Sequence, residues 1–132
     1  MIGPIAWPSA RTLAIAGVAV VVVLLVALGG WFWYDAQQRR VAAAYAEVTA
    51  RVQVALGPEA PADTKVAAAR DLEAWLARYP SARSVPEAAF ELGNLRFGLG
   101  QFASARTAYE LSLQRGPSGT LRGLVRAALG RT

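Results

Sequence analysis

The sequence predicts an all-α protein, in which one membrane-spanning helix continues as a stalk helix and is followed by antiparallel helix pairs that begin an α-solenoid. Three observations support this fold class. A run of 23 residues without a charge lies near the N-terminus. Apolar residues at helical spacing follow that run. A proline and a Leu-Gly pair then each recur 37 residues later, which indicates an internal repeat.

The uncharged run from Thr12 to Tyr34 is long enough to cross a bilayer as a helix. At about 1.5 Å per residue it extends about 35 Å, and a hydrocarbon core is about 30 Å thick. Aromatic rings and then charges follow at its end, as they do where a helix meets the lipid headgroups. The residues expected at that membrane interface are Trp31, Phe32, Trp33, Tyr34, Arg39 and Arg40. A cleaved signal peptide is the alternative, which the length of the run and the lack of an Ala-x-Ala-like site disfavour.

After the span, apolar residues recur on one face of a helix without interruption until Gly57-Pro58. The stalk is therefore expected to be a continuation of the spanning helix, and Asp63 or Thr64 is expected to cap the helix that follows the loop. The expected segments are a short N-terminal lead-in at 1–11, the spanning helix at 12–34, the stalk helix at 35–56, a loop at 57–64 and helical repeats at 65–132.

Composition narrows the possible functions. The chain has no cysteine and no histidine, so it lacks a thiolate nucleophile, the usual general base and the commonest metal ligand. Its two close carboxylate pairs, Asp71/Glu73 and Glu87/Glu91, have no nucleophile arranged around them, so neither an enzyme nor a cofactor or metal site is predicted. The net charge is +5, but the basic residues are scattered, which favours a solvated surface near anionic lipid over a nucleic-acid interface.

The segment at 98–100, Gly-Leu-Gly, looks like part of a nucleotide-binding fingerprint. Such a fingerprint requires a strand before its glycines. Helical spacing precedes them here, so the segment is interpreted as a helix end and a turn between two antiparallel helices.

The two helices around this turn carry small and aromatic residues in a recognisable order. Counted from Pro86, a Leu-Gly pair is followed by small, aromatic, small and proline positions, and this order resembles a tetratricopeptide repeat. The residues expected to pack the repeat are Leu92, Gly93, Phe97, Ala105, Tyr109, Ser112 and Pro117. Two aromatic positions of the family's first helix hold Ala89 and Arg96 instead. The segments at 66–80 and 121–132 resemble the helices of neighbouring repeats, and the native chain is expected to extend beyond Thr132.

The combination of one span ending in Gly-Trp-x-Trp, an alanine-rich stalk and these helix pairs resembles the bacterial ancillary Sec-translocon subunit family. The resemblance implies a single-pass protein of the bacterial inner membrane with a periplasmic repeat domain, which acts as a scaffold for protein partners of the export machinery and for envelope chaperones. The charges near the span do not decide the topology by themselves. A structural accessory subunit of another inner-membrane complex, respiratory or photosynthetic, is the alternative function.

The resemblance also implies where a partner would bind. Stacked helix pairs form a concave surface that is lined mainly by the first helix of each pair. The polar side chains expected on that surface are Glu87, Glu91, Asn94, Arg96, Arg122 and Arg126.

Overall fold

The computed structural model describes residues 9–132, and these residues fold into five helices. The helices are α1 (Ala10–Ala55), α2 (Ala62–Arg78), α3 (Val85–Gly98), α4 (Phe102–Gln114) and α5 (Gly119–Arg131). The predicted all-α class and the long apolar helix at the N-terminal end are confirmed within this range. Of the lead-in expected at 1–11, residues 1–8 lie outside the described range, while Ala10 and Arg11 already belong to α1.

The chain divides into two compact units, one that ends at Arg39 and one that comprises Arg40–Thr132. Helix α1 contributes residues to both units. In the first unit the helix begins after Ser9, whose hydroxyl accepts a hydrogen bond from the Thr12 amide at 3.3 Å and so satisfies one of the free N–H groups of the first turn. This cap was not predicted from the sequence.

In the second unit, the loop before α2 is shorter than the 57–64 segment expected from the sequence. Pro61 occupies the N-cap position with φ −61°, and α2 begins at Ala62. The N-cap expected at Asp63 or Thr64 is therefore wrong. Pro61 already has the fixed φ of a residue that leads into a helix, and Asp63 instead lies in the first turn, where its charge is favourable beside the helix N-terminus.

Two hydrophobic clusters hold the second unit together. The first joins the end of α1 to α2 and α3 and includes Val52, Leu72, Trp75 and Leu92. The second joins α3, α4 and α5 around Tyr109. Burying a leucine such as Leu72 contributes about 2 kcal/mol to folding. Helix α3 contributes residues to both clusters and so lies between the two parts of the core.

The two turns after α3 and α4 both use a glycine with positive φ. Gly100 has φ +75° and Gly116 has φ +70°, a region that other residues rarely adopt. The Gly100 amide donates to the carbonyl of Phe97 at 3.0 Å, so the chain reverses within three residues of the end of α3. The sequence interpretation of the Gly-Leu-Gly segment as a helix end and turn agrees with this geometry.

Candidate interaction surfaces

The first unit presents an apolar helix surface with polar groups at one end. The described residues contain one helix that is long and apolar enough to cross a membrane, and none of the side chains in its most apolar window is buried in the protein. At the end of that window the rings of Trp31, Phe32, Trp33 and Tyr34 are all exposed. Arg39 pairs with Asp35 at 2.9 Å one turn away, and Arg40 is exposed. The aromatic and basic residues predicted for a membrane interface thus occupy consecutive turns of one helix.

Four of the seven residues predicted to pack a repeat make contacts between α3 and α4, namely Gly93, Phe97, Tyr109 and Ser112. Gly93 lies directly against the ring of Tyr109, and Ala105 and Tyr109 are fully buried. Leu92 is buried in the first cluster, Phe97 packs on the second cluster, and Pro117 is buried between α4 and α5. Ser112 is fully buried, and its hydroxyl donates to the Pro86 carbonyl at 2.7 Å. This hydrogen bond satisfies the buried Ser112 hydroxyl and ties α4 to the first turn of α3.

The hydroxyl of Tyr109 is held by a partner on α3. It donates a 2.7 Å hydrogen bond to Oδ1 of Asn94, and the ring lies 5.8 Å from the ring of Phe90. Burial raises the pKa of the Tyr109 phenol, and the nearby Arg131 guanidinium partly opposes that shift. Asn94 is therefore engaged within the protein, where it positions Tyr109 against Gly93.

Arg96 is also engaged within the protein. Its guanidinium pairs with Glu73 of α2, and its Nη1 donates to the Ser104 carbonyl of α4 at 3.3 Å. The side chain is only 20% exposed. Of the six residues expected to face a partner, Asn94 and Arg96 are thus committed to contacts between helices.

The remaining four residues of that set lie in two places. Arg122 and Arg126 are exposed one turn apart on α5. Glu87 is exposed and Glu91 is half-buried one turn apart on α3. Tyr45 of α1 faces both carboxyl groups. Burial and the Glu91 charge raise the pKa of Tyr45, while burial raises the pKa of Glu91 despite the opposing effect of the Tyr45 hydroxyl.

Two interactions near α2 were missed by the sequence analysis. Arg51 of α1 pairs with Asp71 at 2.8 Å and with Glu47 at 2.9 Å, so Asp71 and Glu73 each have an arginine partner. Trp75 is 3% exposed and contacts the rings of Tyr45 and Tyr79, at 4.9 and 5.7 Å between centroids. The spacing of Leu72, Trp75 and Tyr79 along one helix face could have placed Trp75 in the core.

In the described part of the chain, no group of three or more acidic residues is placed to hold a metal ion. The features that the two units do assemble are an apolar helix surface and a set of tightly packed helix pairs, both of which are suited to protein and lipid contacts.

Comparison of the chain with protein-family models, with curated proteins and with solved structures gave no match.

Proposed function

We propose that this protein is a membrane-anchored adaptor of the bacterial inner membrane, in which tetratricopeptide-like helix pairs bind protein partners. One observation carries the proposal: an apolar helix with exposed side chains is followed along the chain by a compact unit of packed helices. Exposed apolar surface of this extent requires lipid or protein around it. The close contact of Gly93 with Tyr109 supports the assignment of α3 and α4 as a tetratricopeptide-like pair.

Membrane anchoring would raise the effective concentration of membrane-bound partners around the adaptor. A domain that is tied to the bilayer meets membrane-bound partners at a high effective concentration, so that weak contacts are still occupied. The resemblance to the ancillary Sec-translocon subunits suggests export machinery and envelope chaperones as those partners, with the helix pairs in the periplasm.

The topology is testable by reporter fusions. Alkaline phosphatase folds to an active enzyme only outside the cytoplasm, because it needs disulfide bonds. We expect a fusion after Thr132 to be active in bacterial cells and a fluorescent protein that folds only in the cytoplasm to be dark at the same site. The opposite pair of results would place Arg40–Thr132 on the cytoplasmic side and contradict the periplasmic assignment.

Variants of the full chain can show whether the helix pairs or the membrane span binds the protein partners. Arg122→Ala combined with Arg126→Ala removes two exposed cations from α5 without removing a salt bridge found in the structure. We expect this variant to lose at least part of the proteins that co-purify with the full chain in mild detergent, because charged hydrogen bonds to a partner would be lost.

The matched control is Arg70→Ala combined with Arg83→Ala, which removes two exposed cations from other parts of the same unit. It is expected to retain the partners. A third variant replaces 12–34 with an unrelated apolar span of equal length.

The accessory-subunit function is the second candidate, and the exposed side chains of the apolar helix favour it because they could pack against other membrane helices. If only the variant with the replaced span loses its partners, the adaptor proposal is wrong and the accessory-subunit function is supported.

A further inference from the structure

The contact between the end of α1 and α3 contains polar atoms that lack partners. We call Arg40–Ala55, the part of α1 in the second unit, the stalk segment. Among the described residues, three buried side-chain atoms have no hydrogen-bond partner, namely Oε2 of Glu91, Oγ1 of Thr49 and Nε1 of Trp75. The two oxygens lie at the contact that the stalk segment makes through Tyr45 and Thr49, and Trp75 packs on Tyr45 from α2. A buried oxygen without a partner destabilises the contact that buries it, and a buried carboxylate does so more strongly.

Within the described range of 9–132, no positive charge compensates the Glu91 carboxyl. The five salt bridges of the described residues use other acidic residues, namely Asp35, Glu47, Asp71, Glu73 and Glu110. The groups that face Glu91 are the Tyr45 hydroxyl from the stalk segment and the Glu87 carboxylate from α3 itself. Helix α2 adds Trp75, which contacts Tyr45 but carries no charge. In a chain of net charge +5, this half-buried acid is thus left beside a second acid.

Protonation of the Glu91 carboxyl would remove its uncompensated charge from this contact. A neutral carboxyl has an O–H that can donate to a buried acceptor, and Thr49 and Tyr45 both offer oxygens at the contact. The ionised carboxylate can only accept, it repels Glu87, and it loses its hydration where the stalk segment covers it.

We propose that the stalk segment docks on α3 through a proton-sensitive contact, in which the neutral Glu91 carboxyl stabilises the docked state and the carboxylate opposes it. Acidification then closes the stalk segment onto the helix pair, and alkalinisation loosens it. The protein thereby carries a conformational response to the pH on the side of the membrane where its helix pairs lie.

The sign of the response follows from linkage. Burial holds the pKa of Glu91 above its ordinary value of 4.5 while the stalk segment is docked. Between the ordinary and the raised pKa, the docked state binds more protons than the undocked state, so docking weakens as the pH rises through this interval. Each unit of difference between the two pKa values changes the docking equilibrium by about tenfold.

Distances between two spin labels test the proposal on the full chain in detergent micelles. Because the chain has no cysteine, Ala46→Cys in the stalk segment and Ala103→Cys in α4 provide two unique labelling sites, both of them exposed. We expect pulsed electron paramagnetic resonance to show one narrow distance at about pH 5 and a broader, partly longer distribution at about pH 8.5.

Two substitutions identify the titrating group. Glu91→Gln imitates the neutral carboxyl and is expected to give the narrow distance at both pH values. Glu59→Gln makes the same chemical change at an exposed loop residue and is expected to respond to pH like the unchanged chain.

The proposal is overturned if the unchanged chain gives the same distribution at both pH values, or if Glu91→Gln keeps the full pH response. The second measurement is the rate of amide hydrogen exchange in the stalk segment, corrected for the intrinsic dependence of exchange on pH. Protection of the backbone amides around Tyr45 should fall with rising pH in the unchanged chain and stay constant in Glu91→Gln.

Discussion

Replacing Gly93 by leucine is expected to lower the free energy of unfolding of the Arg40–Thr132 unit by about 1–3 kcal/mol. A Cβ at this position would fall inside the contact distance of the Tyr109 ring, and even the more distant Cζ would lie only 2.9 Å away. The ring cannot move aside easily, because it is fully buried and its hydroxyl is bonded to Asn94. Helices α3 and α4 would have to separate to admit a side chain.

A second helical glycine provides a control that changes helix propensity without creating a steric clash. Gly123 lies inside α5, and a Cβ there would meet nothing within 4 Å. Gly123→Ala should therefore stabilise the protein by up to about 1 kcal/mol, whereas Gly93→Ala should destabilise it despite the same gain in propensity. Guanidinium unfolding of the full chain in micelles, followed by near-ultraviolet circular dichroism, reports the fixed packing of Trp75 and Tyr109. Equal midpoints for Gly93→Leu and the unchanged chain would refute the close approach of α3 and α4.

The double substitution Val22→Arg and Leu25→Arg, which places two charges in the middle of the apolar helix, is expected to abolish retention in the membrane. Each arginine at the centre of a span costs about 2.5–3.5 kcal/mol on insertion scales, so the pair opposes insertion by about 5–7 kcal/mol. Neither side chain is buried within the protein, so the substitutions do not disturb its core. Alkaline carbonate extraction of cell membranes measures the effect, and the pair Val22→Leu and Leu25→Ile serves as the control that keeps the apolar surface.

The same experiment distinguishes an anchor from a signal sequence. We expect the unchanged chain to remain in the carbonate-washed membranes at its full mass of 14.0 kDa. A shorter product that is released from the membranes would identify the apolar segment as a cleaved signal peptide, and the anchored adaptor would then be excluded.

Local patterns in the sequence predicted the helices and much of the α3–α4 contact. The uncharged run indicated the long apolar helix, and the glycines at 98 and 100 indicated the turn. The small residue at Gly93 and the aromatic residue at Tyr109 were predicted to pack from their order along the chain, and they lie in contact in the structure. Helix α2 starts earlier than expected since Pro61, and not Asp63 or Thr64, precedes its first turn.

The polar contacts could not be predicted in the same way. Arg96 was expected to face a partner, yet it pairs with Glu73, 23 residues earlier in the chain. Arg51 likewise pairs with Asp71, 20 residues later. Which charges meet depends on how the helices pack, and the sequence does not specify that packing residue by residue. The environment of Glu91 depends in the same way on Tyr45 of α1.

The position of Arg96 has a consequence for how the helix pairs come apart. In a linear array of helices that touch only their neighbours, the ends can detach first and the array can open one helix at a time. The Arg96 guanidinium links α2, α3 and α4 at one point, through Glu73 and the Ser104 carbonyl. Detaching α2 would leave this mostly covered charge with fewer partners. A pull on the chain from its N-terminal end would therefore load α2, α3 and α4 together at this point.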